Sequence, residues 1–220
     1  MRVPIAVMPR LLMGIVVAGR NEFVQDVRQI LLQAGVTRPP ARCKLEQMAQ
    51  TLIQTEHWVA ASLPGLFRFF ADPRNLPVVS PPGSGTRLVT VRLVPPPPLA
   101  NESVEGLAGV GSEIVVSFRL FPYLPLRSQL TARIIEFEWN RYFRDIQTKG
   151  PFKTFDHTHQ FEAAERDGRQ GTIVRDNVRY DIGFGPLGRL LNATVVRMQL
   201  AAMFRHRQRA TAHQLATVAG

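Results

Sequence analysis

The chain has a single cysteine, Cys43. One thiol excludes an intramolecular disulfide and a cysteine-based zinc site; a reducing compartment fits it best, and the cytoplasm is the expected location. Long hydrophobic runs are missing too. The longest near the start, Leu11 to Gly19, has nine residues, against the roughly 20 needed to cross a bilayer, so no transmembrane helix is expected. Arg2 and Arg10 ahead of it, with Ala18 and Gly19 at its end, make a poor imitation of a secretory signal. Lysine is scarce: 24 of the 27 basic residues are Arg, spread from Arg2 to Arg209. The net charge of +10 therefore reads as compositional bias rather than a designed patch, and no nucleic-acid partner is expected. Acidic residues stop at Asp181, while Arg189, Arg197, Arg205, Arg207 and Arg209 follow. That tail reads as a solvated helix face, with peripheral contact to an anionic surface as the alternative. A monomer and a homodimer both remain open.

What is present is an ordinary globular composition, 45% hydrophobic and 20% charged over 220 residues, enough for one sizeable domain with an appendage. Residues 1–45 differ from the rest and read as an N-terminal extension of unexplained role, with a helical period from Asn21 to Ala34 stopped at Gly35. The main domain is expected over 46–213, with 214–220 as a flexible tail. Leu52 to Ala60 reads as a strand. Ser62 and Pro64 then open a short helix through Leu66, Phe67, Phe69 and Phe70, which Asp72-Pro73 stops. A second short helical turn is expected from Asn75. Six strands follow, at Thr86–Val94, Ser112–Phe121, Leu130–Trp139, Tyr142–Thr148, Thr154–Ala163 and Gly171–Ile182. Their short connections argue for an antiparallel sheet. A long helix from Pro186 to about Ala212 closes the chain, with Leu187, Leu190, Leu191, Thr194, Val195, Met198, Ala201 and Ala202 as its apolar stripe. At 1.5 Å per residue it is roughly 40 Å long, enough to cover a whole sheet.

The chemistry-bearing residues concentrate between Phe143 and Phe161, where two extended segments meet at Gly150-Pro151. Strand parity puts Phe155, His157, His159 and Phe161 on one face, and Val174, Asp176, Val178, Tyr180 and Ile182 together on the next strand. Asp145, His157, His159, Asp176 and Tyr180 are then the polar residues of one surface. Three readings of them stand open: a hydrogen-bonded network stitching neighbouring strands, a polar anchor in an apolar pocket, or an Asp-oriented His acting as general base. For a metal, His-x-His supplies two imidazoles on one side, and His57 or Asp176 is a third donor; nothing in the sequence fixes that third position, so no metal and no cofactor are expected. Gly183, Gly185 and Gly188 spell G-x-G-x-x-G between a strand and a helix. Pro186 removes an amide that would face phosphate, no strand follows, and no acid stands about 20 residues on, so the stretch reads as a hinge rather than a dinucleotide site. No nucleophile elbow or phosphate loop occurs elsewhere.

Two stretches carry a family resemblance. Phe67, Phe69, Phe70, Asp72, Pro73, Asn75 and Leu76 resemble the F-x-F-F-x-D-P-x-N-L stretch of the SRPBCC (START/Bet v 1-like) superfamily. Phe143, Asp145, Gln147, Gly150, Pro151, Phe152, His157, His159, Phe161, Gly171, Thr172, Asp176 and Tyr180 resemble its ligand-binding, cyclase/dehydrase-like branch. The likeness covers about residues 50–212; one departure is Phe155 where the aromatic before the first histidine is often Trp. The resemblance implies an α+β helix-grip fold, a curved seven-stranded antiparallel sheet wrapped around a long C-terminal helix, with two short helices after the first strand. It also implies binding or transport of a hydrophobic or amphipathic small molecule, lipid, sterol or polyketide-like, in a cavity between sheet and helix. The expected wall is Phe118, Leu120, Ile134, Phe143, Asp145, His157, His159, Val174, Asp176, Val178, Tyr180, Leu191 and Val195. The alternative is a polyketide cyclase or dehydratase using His157 or His159 with Asp145 or Asp176.

Overall fold

The computed structural model describes residues 50–99, 103–119, 127–185, 188 and 192–218. The extension 1–45, and with it Cys43, lies outside them, as do Leu120 and Leu191. Seven strands form one sheet in the order β1-β7-β6-β5-β4-β3-β2, with every neighbouring pair antiparallel. They are β1 (Thr51–Val59), β2 (Arg87–Arg92), β3 (Glu113–Arg119), β4 (Arg127–Glu138), β5 (Tyr142–Lys149), β6 (Thr154–Arg166) and β7 (Arg169–Asp181). Register shifts interrupt the ladders between Leu88 and Thr90 and twice in β4, at Thr131/Ala132 and Ile134/Glu136. Such bulges bend a strand and add twist, so they curve this half of the sheet into a cup.

Helix α1 (Leu63–Ala71) starts as its sequence dictates: the Ser62 side chain accepts from the Gly65 amide, and Pro64 sits in the first turn. Asp72 ends it and caps the next turn by accepting from the Arg74 amide at 2.9 Å. The second short helix is not α-helical; the segment makes 3-10 turns at Pro73–Asn75 and Pro82–Ser84. Pro73, Pro77, Pro81 and Pro82 each lack the amide an α-helix would need there. Strands β6 and β7 run further than their apolar pattern suggests, because Asp167 and Gly168, both at positive φ (51° and 71°), close a two-residue turn. Asp-Gly with that geometry matches strand twist and carries pairing out to Arg166↔Arg169.

The chain turns from β7 toward the last helix through Gly183, Phe184 and Gly185, all left-handed. A π-helical turn, Asn192–Val196, precedes α2 (Arg197–Val218). Residues 214–218, expected as part of a flexible tail, are helical. The expected stripe of α2 holds only in part: Leu187, Leu190 and Leu191 lie outside the described residues, Val195 and Ala202 face the cavity described below, and Met198 is 66% exposed, while Phe204 is buried with Val196, Leu200 and Met203 packed beside it on Ile53, Val178 and Tyr180. A π turn adds a residue to the helical ring and swings the following side chains around the axis. A second core, Leu66 and Phe67 of α1 on Phe143, Phe161 and Val174, holds the other end of the sheet. A third, Ile114, Val116 and Ile134 with Ala108, lies across the cup.

Candidate functional site

Between α2 and the bulged strands lies a cavity of about 480 Å³. Side chains alternate across a strand, so β3, β4, β5 and β6 each contribute every second residue to its wall. The structure places Phe118, Ile134, Phe143, Asp145, His157, His159 and Val195 on that wall. Val174, Asp176, Val178 and Tyr180 share the inward strand face but are not on the wall. Val174 packs under α1, and Val178 and Tyr180 pack under Phe204 of α2. The Tyr180 hydroxyl pairs with Asn192 Oδ1 at 2.6 Å, and Asn192 reaches on to Thr51 Oγ1 at 2.7 Å. Facing inward and facing the cavity are therefore different properties wherever a helix touches the sheet.

Sequence reasoning did not assign several wall residues: Phe69 and Phe70 from α1, and Leu200, Met203, Phe204 and Arg207 from α2. The two phenylalanines stood in a recognisable motif but read more readily as core than as pocket lining. Arg207 had no signal, being one of several arginines in the tail. Arg197, Arg205 and Arg209 are exposed on α2; Arg207 turns inward, its guanidinium 4.9 Å from the Phe70 ring centre and its Nε buried without a hydrogen-bond partner.

The polar end of the wall is built by register. Asp145 pairs with His157 across β5 and β6, and His159 pairs with Asp176 across β6 and β7. The two imidazoles, 3.8 Å apart at their centres, stand between two carboxylates. Behind them, His157 Nε2 hydrogen-bonds Asp176 Oδ1 at 3.0 Å. His159 Nδ1 comes within 2.7 Å of the same oxygen, though off the line of a hydrogen bond. On the cavity side Asp145 Oδ2 stands 3.6 Å from His159 Nε2 and 4.0 Å from His157 Nδ1. Asp145 thus holds the third position that the sequence left unfixed: one donor atom from each of Asp145, His157 and His159 lies within 4.8 Å of the other two.

Burial alone would raise the Asp176 carboxyl, but the His157 hydrogen bond and the adjacent His159 outweigh it and hold it well below the usual carboxylate range. Asp145 is lowered by the same balance, burial opposing and His159 and His157 prevailing. Burial pushes His157 below the ordinary histidine range, His159 adds to this, and Asp176 and Asp145 only partly offset it. His57, inward on β1 with neither ring nitrogen partnered, is lowered first by burial, with Asp176 opposing and Arg207 assisting. A histidine whose folded-state pKa lies below its unfolded value takes up its proton first in the unfolded chain. Acid then favours unfolding from about pH 6.5 downward. Stability is expected to fall below that pH by at most about 1.4 kcal/mol per pH unit for each histidine, and His57→Gln is expected to flatten the slope. The lowered carboxyls act in the same direction at lower pH, from their unfolded value of about 4 downward. Urea denaturation on either side of pH 6.5 tests this; equal stability there would refute it.

No helix among the described residues is long and apolar enough to cross a membrane. No protein-family model matches the sequence, and no curated protein does. Solved structures match the fold. A protein from Thermus thermophilus aligns with a TM-score of 0.53 at 12% identity, covering 77% of this chain and 100% of its own. A START superfamily protein from Mycobacterium smegmatis gives 0.53 at 11%, over 76% and 98%. The major latex-like protein of Panax ginseng gives 0.50 at 10%, over 76% and 99%. At such identities the likeness is one of architecture, and function has to be argued from the site. The chain has the helix-grip fold of these proteins.

Proposed function

We propose that the protein binds and carries a hydrophobic or amphipathic small molecule in the cavity between sheet and α2, in the cytoplasm. The observation that carries the reading is the makeup of one cavity. Its volume falls within the range of about 300–1,000 Å³ usual for small-molecule sites. Its wall is mostly apolar, with Asp145, His157, His159 and Arg207 all on it. Burying an apolar body contributes about 25 cal/mol per Å², while the few polar groups orient whatever hydroxyl, carbonyl or carboxyl the molecule carries. Lipids, sterols and polyketide-like compounds all have this division.

Native mass spectrometry of protein purified from its own host is expected to show a co-purifying organic molecule, displaceable by a fluorescent fatty acid. Ala132→Trp, which fills the cavity from β4, is expected to lower its occupancy at least tenfold. An empty cavity together with no affinity across a lipid panel would overturn the proposal. The cyclase or dehydratase reading draws on the same residues: His157, oriented by Asp176 at 3.0 Å, or His159, 2.7 Å from the same carboxylate, would act as general base on a bound molecule. It is distinguished by product formation that His159→Ala abolishes without unfolding the protein.

A further inference from the structure

We propose that Asp145, His157 and His159 form a binding site for a first-row divalent cation, zinc by its donor set, with an open coordination position on the cavity. Three observations converge on it. The first is the donor set: two imidazole nitrogens and one carboxylate oxygen, mutually within 4.8 Å. With bonds of about 2.0–2.2 Å, the ligands of a tetrahedral shell stand roughly 3.4 Å apart. The distances from Asp145 Oδ2, 3.6 Å and 4.0 Å, need only a small contraction. They are also too long for good hydrogen bonds, so direct pairing does not account for the arrangement.

The second observation is the outer shell. Metal-bound histidines commonly donate their other ring nitrogen to a carboxylate, which fixes the tautomer and the ring orientation. Asp176 offers that service to both rings. It takes Nε2 of His157 at 3.0 Å and stands 2.7 Å from Nδ1 of His159, leaving Nδ1 of His157 and Nε2 of His159 toward Asp145. His159 Nδ1 is buried and lacks an aligned partner. A small rotation that draws Nε2 onto a cation would seat that N–H on Asp176. The third observation is charge and access. Two carboxylates bracket the two imidazoles, and the guanidinium of Arg207 offsets one of their charges, which leaves a net negative charge for a dication to meet. The three donors line the cavity, so a fourth position is left for water or for an oxygen of the bound molecule.

This goes beyond the binding of an organic molecule and is tested without one. Full-length protein, stripped with a chelator and delipidated, is titrated with Zn²⁺ alone and separately with Co²⁺. One equivalent of Zn²⁺ is expected to bind, Co²⁺ to give visible absorption of a low-coordinate nitrogen–oxygen site, and the imidazole resonances of His157 and His159 to shift while exposed His213 stays in place. Asp145→Asn keeps the side chain's shape and is expected to weaken Zn²⁺ by at least the roughly 10–100-fold that loss of an outer-shell partner brings. The absence of one-to-one binding, unshifted His157 and His159 resonances, or equal affinity in Asp145→Asn would each overturn the site. Should that variant fail to fold, the wild-type imidazole shifts decide alone.

Discussion

Asp176→Asn is expected to cost about 1.5–3 kcal/mol of folding stability, the range for a buried hydrogen bond to a charged group. Asp176 is 1% exposed, and it is the carboxylate on which both histidines lean, at 3.0 Å and 2.7 Å. The amide oxygen retains one weaker acceptor, but the amide nitrogen brings donors toward rings that present donors themselves. Because the carboxyl is held well below its ordinary range, its contribution is fully present above the unfolded value of about 3.9 and is lost only as pH falls through the lower folded value. The loss should therefore be complete at neutral pH. Asp145→Asn is expected to cost far less, since Asp145 keeps 15% of its side chain exposed and approaches the rings no closer than 3.6 Å. Urea denaturation of both variants separates the roles. A cost below about 1 kcal/mol for Asp176→Asn would mean that the network does not hold the strands together.

That contrast bears on what the sequence made legible. Period-two parity was enough to put His157 and His159 on one face and Asp176 with them, because a strand leaves no other choice. The Gly150-Pro151 turn brought Asp145 alongside, where the register set it opposite His157. The strands, their order along the chain and the start of α1 followed from alternation, proline and the Ser62 cap. What could not be read was how the helices dock. Val174, Val178 and Tyr180 have the parity of wall residues, yet α1 and α2 cover them. Arg207 carries no local mark of burial, and only the phase of α2, reset by the π turn at Asn192–Val196, aims it at Phe70. The depth of the cup depends on bulges at Leu88/Thr90 and within β4, which shift register without a glycine or proline to announce them.

Phe67→Ala is expected to be more damaging than the loss of Asp176, at about 3–5 kcal/mol, and for a different reason. Phe67 is fully buried and meets four rings: Phe161 at 5.0 Å, Phe137 at 5.3 Å, Trp139 at 5.6 Å and Phe143 at 5.9 Å, three of them edge to face. Those partners come from the β4–β6 end of the sheet, so one side chain ties α1 to three strands or their turns. Truncation leaves a hole that the rigid sheet cannot close, adding a cavity cost to the lost transfer energy. Phe70, on the same helix, provides the control. It lines the ligand cavity and contacts His159 at 5.8 Å, so Phe70→Ala enlarges a space that already exists and is expected to cost less. Denaturation midpoints of the two variants are predicted to differ, with Phe67→Ala lower. Because Phe67 anchors the helix that carries Phe70 over the histidines, Phe67→Ala is also expected to speed release of a bound fluorescent fatty acid. Equal stability of the two variants would show that α1 is held by the cavity wall and not by the aromatic core behind it.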